Sequence, residues 1–266
     1  MDLALARRLE STEGAVGLGH VKTRQRIDPQ SDVAWHNFGG TYTFFDGSSS
    51  VLTQSFGLGV FSPMTPALLD EIEAFFEDRG ANPQHEVSVH AGLDTLGMLV
   101  DRGYRPVELS NVMVQRLPTL NEVVGTDLAV RICAPEDRQT WIESSAAGWA
   151  DTPEVGALAR SIAGVVSANP LMTNFLVEHQ GAMIATASLG IHEGVALLAG
   201  ASTIPAGRGR GAQSAVLAAR LAEAHQRGCD LAMMVASPGS ASQRNAERRG
   251  FRVAYSRMKW MRPRRR

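Results

Sequence analysis

Long apolar runs are missing from this chain. No stretch approaches the ~18 uninterrupted apolar residues of a membrane-spanning helix, and the opening MDLALARRLESTEG carries acids and arginines where a signal peptide needs an apolar core. No membrane association is expected, and the reading is of a cytoplasmic protein. Cysteine is almost absent. Cys133 and Cys229 are the only two, and neither belongs to a CxxC pair or a Cys/His cluster. Neither a disulfide framework nor a structural zinc site is expected, reduced core thiols are, and no metal is expected. Net charge is slight at −1, with 20% charged and 44% hydrophobic residues, a balance that excludes disordered and fibrous classes. No nucleic-acid partner is expected.

What is present is an asymmetry and a repeat. Residues 1–118 hold 9 Lys and Arg against 15 Asp and Glu, a net of −6, whereas residues 119–266 hold 17 against 12, a net of +5. The second half is the better host for an anion, although part of its excess is the tail RPRRR, read as a solvated end. The first half runs FGLGVFSP, LLDEIEAFFEDRG, HEVSVHAG, LVDRGYRPVELSNVMVQRL; the second runs LAGASTIP, AVLAARLAEAHQRG, LAMMVASPGS, AERRGFRVAYSRMKWMR. Gly80 matches Gly228 at an offset of 148 and Gly103 matches Gly250 at 147. Each half thus repeats the order strand, helix, strand, short helix, strand, with glycines where helices stop. Two related domains of roughly ordinary size are expected, 1–118 and 119–266.

In the second half, 135–166 reads as a helical region carrying Trp141 and Trp149. NFLVEHQG, AMIATASLGIH and VALLAGAST read as strands, LAMMV as a buried strand, a helix ends at Gly250, and FRVAYSRMKWM reads as the last strand. Between VALLAGAST and the alanine-rich helix lies PAGRGRGAQS. Unpaired N–H groups and about half a unit of positive dipole charge gather at a helix start. Gly207, Gly209 and Gly211 let backbone approach a ligand, and Arg208 and Arg210 add charge; together they make a phosphate cradle. No Gly-Lys-Ser/Thr follows, so it is not a Walker loop. Gly207, Gly209 and Ala212 fit a dinucleotide fingerprint, but the strand LAMMV is followed by Ala236, Ser237 and Pro238, without the acid such a site needs.

The wider pattern, STIPAGRGRGAQSAVL, then a strand, then SQRNAERRGFR, resembles the GCN5-related N-acetyltransferase (GNAT) family. Its signature is Arg/Gln-x-x-Gly-x-Gly/Ala, here beginning Arg208-Gly209-Arg210-Gly211-Ala212, with Gln213 in place of the final Gly or Ala. The resemblance covers about 128–262 well and the acidic half as a degenerate copy. It implies an α/β (α+β) protein of two tandem domains, each a mixed, mostly antiparallel sheet flanked by helices, with two strands splayed apart at the coenzyme site. It implies acetyl-CoA as cosubstrate. The backbone of Ser202, Thr203 and Ile204 would meet the pantetheine amides, and the loop from Arg208 to Ser214, with N–H groups of Gly209, Gly211, Ala212 and Gln213, would hold the pyrophosphate. Ser242 and Asn245 would flank the coenzyme arm.

The chemistry so implied is attack of an amine on the acetyl thioester, which needs a base and is helped by an acid. The family's Tyr position holds Ala246, and the strand before the cradle carries no carboxylate. Glu178, His192 and Glu193 remain as candidate bases and Tyr255 as a candidate acid. In the first half SPMTPALLDE replaces the cradle, with prolines and with Asp70 and Glu71, so it is not expected to bind coenzyme. Trp35, Phe44 and Phe45 are candidates to line an acceptor cleft there. The function expected is acetyl transfer from acetyl-CoA to an amine of a small molecule. Protein lysine or N-terminal acetylation and a non-catalytic acyl-CoA-binding module stay open, as does monomer against homodimer.

Overall fold

The computed structural model describes residues 2–118, 127–150 and 152–263. The segment after Pro118, where the halves are expected to join, and residues 264–266 of the basic tail lie outside the described residues. The chain forms two compact units: Met1–Met113 with Val235–Gln243 and Val253–Arg266, and Val114–Met234 with Arg244–Arg252. They trade segments, whereas the expected halves are continuous in sequence.

The first unit opens with helix α1 (Leu3–Ile27), capped by Asp2, whose carboxylate accepts the Leu5 N–H at 2.8 Å. Its buried face mixes Ala6, Leu9 and Val16 with Glu10, Glu13 and His20. Gly14 and Gly17 bring it close to the strands, since a Cβ there would come within 2.4 Å of Tyr42 and 2.6 Å of Phe44. Strands β1 (Ala34–Phe38), β2 (Thr41–Phe45) and β3 (Gln54–Phe56) follow, then α2 (Pro66–Glu77), β4 (Gln84–Ser88), α3 (Leu93–Asp101) and β5 (Arg105–Arg116). Thr65 caps α2 by accepting the Leu68 N–H at 3.2 Å, and Pro66 sets its first turn. Leu69, Ile72 and Phe76 of α2 are buried with Leu58, Val87, Leu99 and Phe45 in one core. Burial of each large apolar side chain contributes about 1.5–3 kcal/mol. Phe44 packs in a second cluster with Val21 and Phe56, while Trp35 is exposed beneath Lys22. Phe44 and Phe45 are therefore core residues.

The final strand, β11 (Arg252–Met261), follows the second half in sequence but lies between β4 and β5, so the first unit's order is β1-β2-β3-β4-β11-β5. It runs antiparallel to β4, with Arg257 opposite Ser88 and Trp260 opposite His85. Side-chain chemistry accounts for the placement: Tyr255 and Arg257 reach Glu10 and Glu13 of α1, and Trp260 joins the core.

The second unit contains β6 (Leu128–Ile132), α4 (Arg138–Trp149), α5 (Pro153–Ala168), β7 (Met172–His179), β8 (Ala182–His192), β9 (Val195–Thr203) and α6 (Ala212–Gln226). Strand β10 (Leu231–Ala236) and helix α7 (Ala241–Arg248) straddle the division between units. The strands are ordered β10-β9-β8-β7-β6, antiparallel throughout except for the parallel pair β9 and β10. The expected helical region over 135–166 is two helices, because Thr152 caps a new one through the Val155 N–H and Pro153 opens it. Trp141 is buried, its indole N–H donating to the Phe175 carbonyl at 2.9 Å, while Trp149 is exposed. Among the described residues no helix is long and apolar enough to cross a membrane, and no cluster of three or more potential metal ligands forms.

Candidate coenzyme site

The cradle is built from two glycines rather than three. Gly209 and Gly211 have φ of +79° and +80°, a conformation L side chains rarely adopt, and a Cβ on either would meet nothing within 4 Å. Gly207 serves packing instead: a Cβ there would fall 2.7 Å from Ile184 Cβ. Gly211 is the N-cap of α6 and offers no side-chain cap, so the first N–H groups of that helix, from Ala212, Gln213 and Ser214, lack a side-chain acceptor. Arg208 and Arg210 are exposed beside them with no carboxylate partner among the described residues. Gln213, where the family pattern has a small residue, donates from Nε2 to Thr203 Oγ1 at 2.7 Å and ties the helix start to β9.

Beside the cradle, two parallel strands part. β10 pairs with β9 only through Leu231, Ala232 and Met233 against Val195, Ala196 and Leu197. Beyond Leu197, β9 continues to Thr203 held by β8 alone among the described residues. Within that run β9 carries a bulge: Ser188 faces Ala199 and Thr186 faces Ser202, so Gly200 and Ala201 together oppose Ala187. Gly200 adopts φ +60°. Antiparallel ladders alternate the direction of their backbone groups. The Ile204 N–H donates to the Ile184 carbonyl at 3.0 Å, and the Ile204 carbonyl accepts from Gly207 at 2.9 Å, so Ile204 is already committed to the protein. By alternation Ser202 faces β8 as well, and Thr203 alone of the three turns its backbone to the open edge. The Ser202 side chain is also engaged, lying 3.2 Å from Thr186 Oγ1 and donating to the Ser145 carbonyl at 3.1 Å.

The four acid and base candidates are not brought together. His192 pairs with Val195 and Thr203 with Ala185, so eight residues of strand, roughly 26 Å, separate His192 from the cradle end of β9. Glu193 sits in the turn beyond it, 3.9 Å from His192 Nε2. Glu178 lies on β7 and is ion-paired to Arg131 at 3.0 Å. Tyr255 is a buried member of the first unit; its hydroxyl donates to Glu10, and burial together with that carboxylate pushes the phenol upward, away from use as an acid. Ala246 is buried on α7. Ser242 is exposed in the first turn of α7, and Asn245 Oδ1 accepts from Arg248. The division between units falls between Gln243 and Arg244.

Two features escape a reading from motifs. The bulge has a faint signal in the lone glycine of VALLAGAST, since an isolated glycine in a strand marks a bulge. The close packing of α4 on β9 rests on Gly148, where a Cβ would come 2.6 Å from Ser202 Oγ; a small residue inside a helix does not announce its neighbour.

No protein-family model matches the sequence, and no curated protein matches it either. Solved structures do. A GCN5-related N-acetyltransferase from Kribbella flavida is similar with a TM-score of 0.72 at 19% identity, over 98% of this chain and 96% of that one. Another from Sphaerobacter thermophilus gives 0.61 at 18%, over 87% and 75%. A tandem GNAT protein from the clavulanic acid biosynthesis pathway gives 0.61 at 11%, over 92% and 87%. With the strand order, the parting of β9 from β10 and the glycine cradle, these likenesses establish that the chain has the fold of the GCN5-related N-acetyltransferases.

Proposed function

We propose that the protein is a cytoplasmic N-acetyltransferase that moves acetyl from acetyl-CoA to an amine of a small molecule, with one coenzyme site, in the 119–266 half. The observation that carries this reading is the uncapped start of α6 behind two left-handed glycines, set beside the open edge of β9. A pyrophosphate would suit this loop: the N–H groups of Gly209, Gly211, Ala212, Gln213 and Ser214 would hold it beside the charges of Arg208 and Arg210. Thr203 offers backbone groups to pantetheine amides, with Ser202 and Ile204 supporting it from the β8 side. Asn245 flanks the arm from α7.

Bound acetyl-CoA supplies the thioester, whose C–S bond breaks as the amine nitrogen bonds to the acetyl carbon, leaving CoA as the thiol. The protein's part is to grip, align and exclude water. Such positioning is worth up to roughly 7–11 kcal/mol of barrier. With Ala246 in the place of the family's acid and the candidate bases remote or ion-paired, the amine proton passes to water. Calorimetry with CoA and acetyl-CoA, followed by thiol release across an amine panel, tests the reading. Binding with turnover of a small amine supports it. Binding without turnover of any small amine or peptide identifies an acyl-CoA-binding module, and turnover of peptides alone identifies a protein acetyltransferase.

A further inference from the structure

Arg220 is a guanidinium buried without a carboxylate. It projects from the buried stripe of α6 that includes Ala212, Val216 and Ala224, one residue every helical turn, and is 4% exposed. Its partners are carbonyls only. Nη1 donates to Ser188 at 3.2 Å and to Ala199 at 3.3 Å, and Nε to Val216 at 3.4 Å. Burial without a compensating charge pulls it down to about 10, still protonated at neutral pH. Such a cation is expensive to keep, and a neutral apolar residue would fill the same stripe.

The two sheet carbonyls are not arbitrary. Ser188 and Ala199 are the residue pair that borders the bulge. A bulge disrupts the ladder and leaves backbone groups to find other partners, and here a single Nη1 serves both. The Ala199 carbonyl is the acceptor end of the peptide whose donor end is the Gly200 N–H. A charge-assisted bond at one end of a peptide polarises the other and strengthens it as a donor. Four residues of strand, about 13 Å, separate Gly200 from Ile204. The bulge therefore stands at the inner end of the open edge, where the acyl end of a ligand gripped at the phosphate loop belongs.

We propose that Arg220 is a positioning residue for acyl transfer: bound to the carbonyls that border the bulge, it fixes the kink in β9 and makes the Gly200 amide a strengthened donor toward an acyl carbonyl. The inference rests on the coenzyme reading above. Charge develops on that carbonyl oxygen during attack, and a preorganised donor acts most strongly there.

The test uses the full chain with Arg220→Lys, Arg220→Gln and Arg220→Met. The affinity for CoA, read by calorimetry, stays within about threefold because the phosphate loop is untouched. In the Gln and Met variants the preference for acetyl-CoA over CoA is lost, kcat falls about tenfold or more with the KM for the amine little changed, and the Gly200 amide 15N resonance moves upfield. The Lys variant recovers part of each. A folded Gln or Met variant with an unchanged Gly200 resonance and unchanged acetyl-CoA preference overturns the proposal. So does a loss of CoA affinity that simply tracks melting temperature, which marks a structural role alone. If the unaltered protein binds no CoA, the coenzyme reading fails instead, and the Gly200 resonance still decides whether Arg220 polarises the bulge.

Discussion

The Tyr255 hydroxyl donates to Glu10 Oε1 at 2.6 Å, joining residues 245 positions apart. The other Glu10 oxygen accepts the Gly57 N–H at 3.2 Å. Around this contact Arg257 pairs with Glu13 and lies 3.1 Å from Glu86, whose second oxygen meets Lys259 at 3.2 Å. Three carboxylates and two cations thus share a buried stretch between α1, β4 and β11.

Glu10 is pushed up to about 7, chiefly by burial, with Arg257 opposing and Glu13 adding to the rise. Between about 4.5 and 7 the native protein holds a proton that the unfolded chain has released, so stability declines as pH rises through that window. The full effect is at most about 3 kcal/mol. His20 and His85, pushed down to about 4 and about 3 by burial, act in the opposite sense below about 6.5. Urea melts from pH 5 to 8 on the parent and Glu10→Gln isolate the carboxylate: the difference in stability between them should change across this range, and a constant difference rejects the assignment.

Gly211→Asp and Gly207→Ala should separate binding from folding. The first puts a like charge and a strained left-handed residue where phosphate belongs, and CoA affinity should fall at least about tenfold, or 1.4 kcal/mol. The second drives a methyl into Ile184 and should cost about 1–3 kcal/mol of stability. Calorimetry and thermal melts read the two effects. A Gly211→Asp variant that is folded and binds CoA as before moves the site elsewhere.

One CoA per chain is expected. The first unit's counterpart of α6, helix α2, has its start capped by Thr65, and the first-turn Pro66 brings no N–H. Arg102 there is engaged with Asp70, Glu73 and the Pro66 carbonyl rather than turned to a ligand. Two equivalent sites in a calorimetric titration contradict this.

Single substitutions of Glu178, His192 and Glu193 should each lower kcat by less than about a hundredfold, the lower end for loss of a true general base. The rate should climb with pH toward the acceptor amine's own pKa. A larger drop at one of the three, accompanied by loss of an acidic limb near about 6 to 7, assigns that residue as the base.

Much of the second unit is legible in sequence because its signals are local. β7, β8 and β9 follow from their apolar strand-like stretches and from the turn glycines Gly181 and Gly194, both with positive φ. Helix α6 follows from its glycine start and its stop at Gly228. Helix α1 resists the same treatment, since its buried face holds Glu10, Thr12, Glu13 and His20, and the residues that engage Glu10 and Glu13, Tyr255 and Arg257, lie at the other end of the chain. The left-handed turn before α6 is legible at Gly209 and Gly211, but the packing duty of Gly207 is not, because it depends on how near Ile184 comes. Arg220 reads as an ordinary helix-surface cation until the fold turns it inward.

The insertion of β11 between β4 and β5 also orders events at the ribosome. A nascent chain that has emerged as far as β5 lacks the strand that separates it from β4, and the partners of Glu10 and Glu13 have not yet been translated. Domains ordinarily fold from the N-terminus as they emerge. Here the unit begun first must wait for the last strand, so a stop codon upstream of β11 leaves the buried glutamates without Tyr255 and Arg257 and spoils the domain farthest from the lesion in sequence.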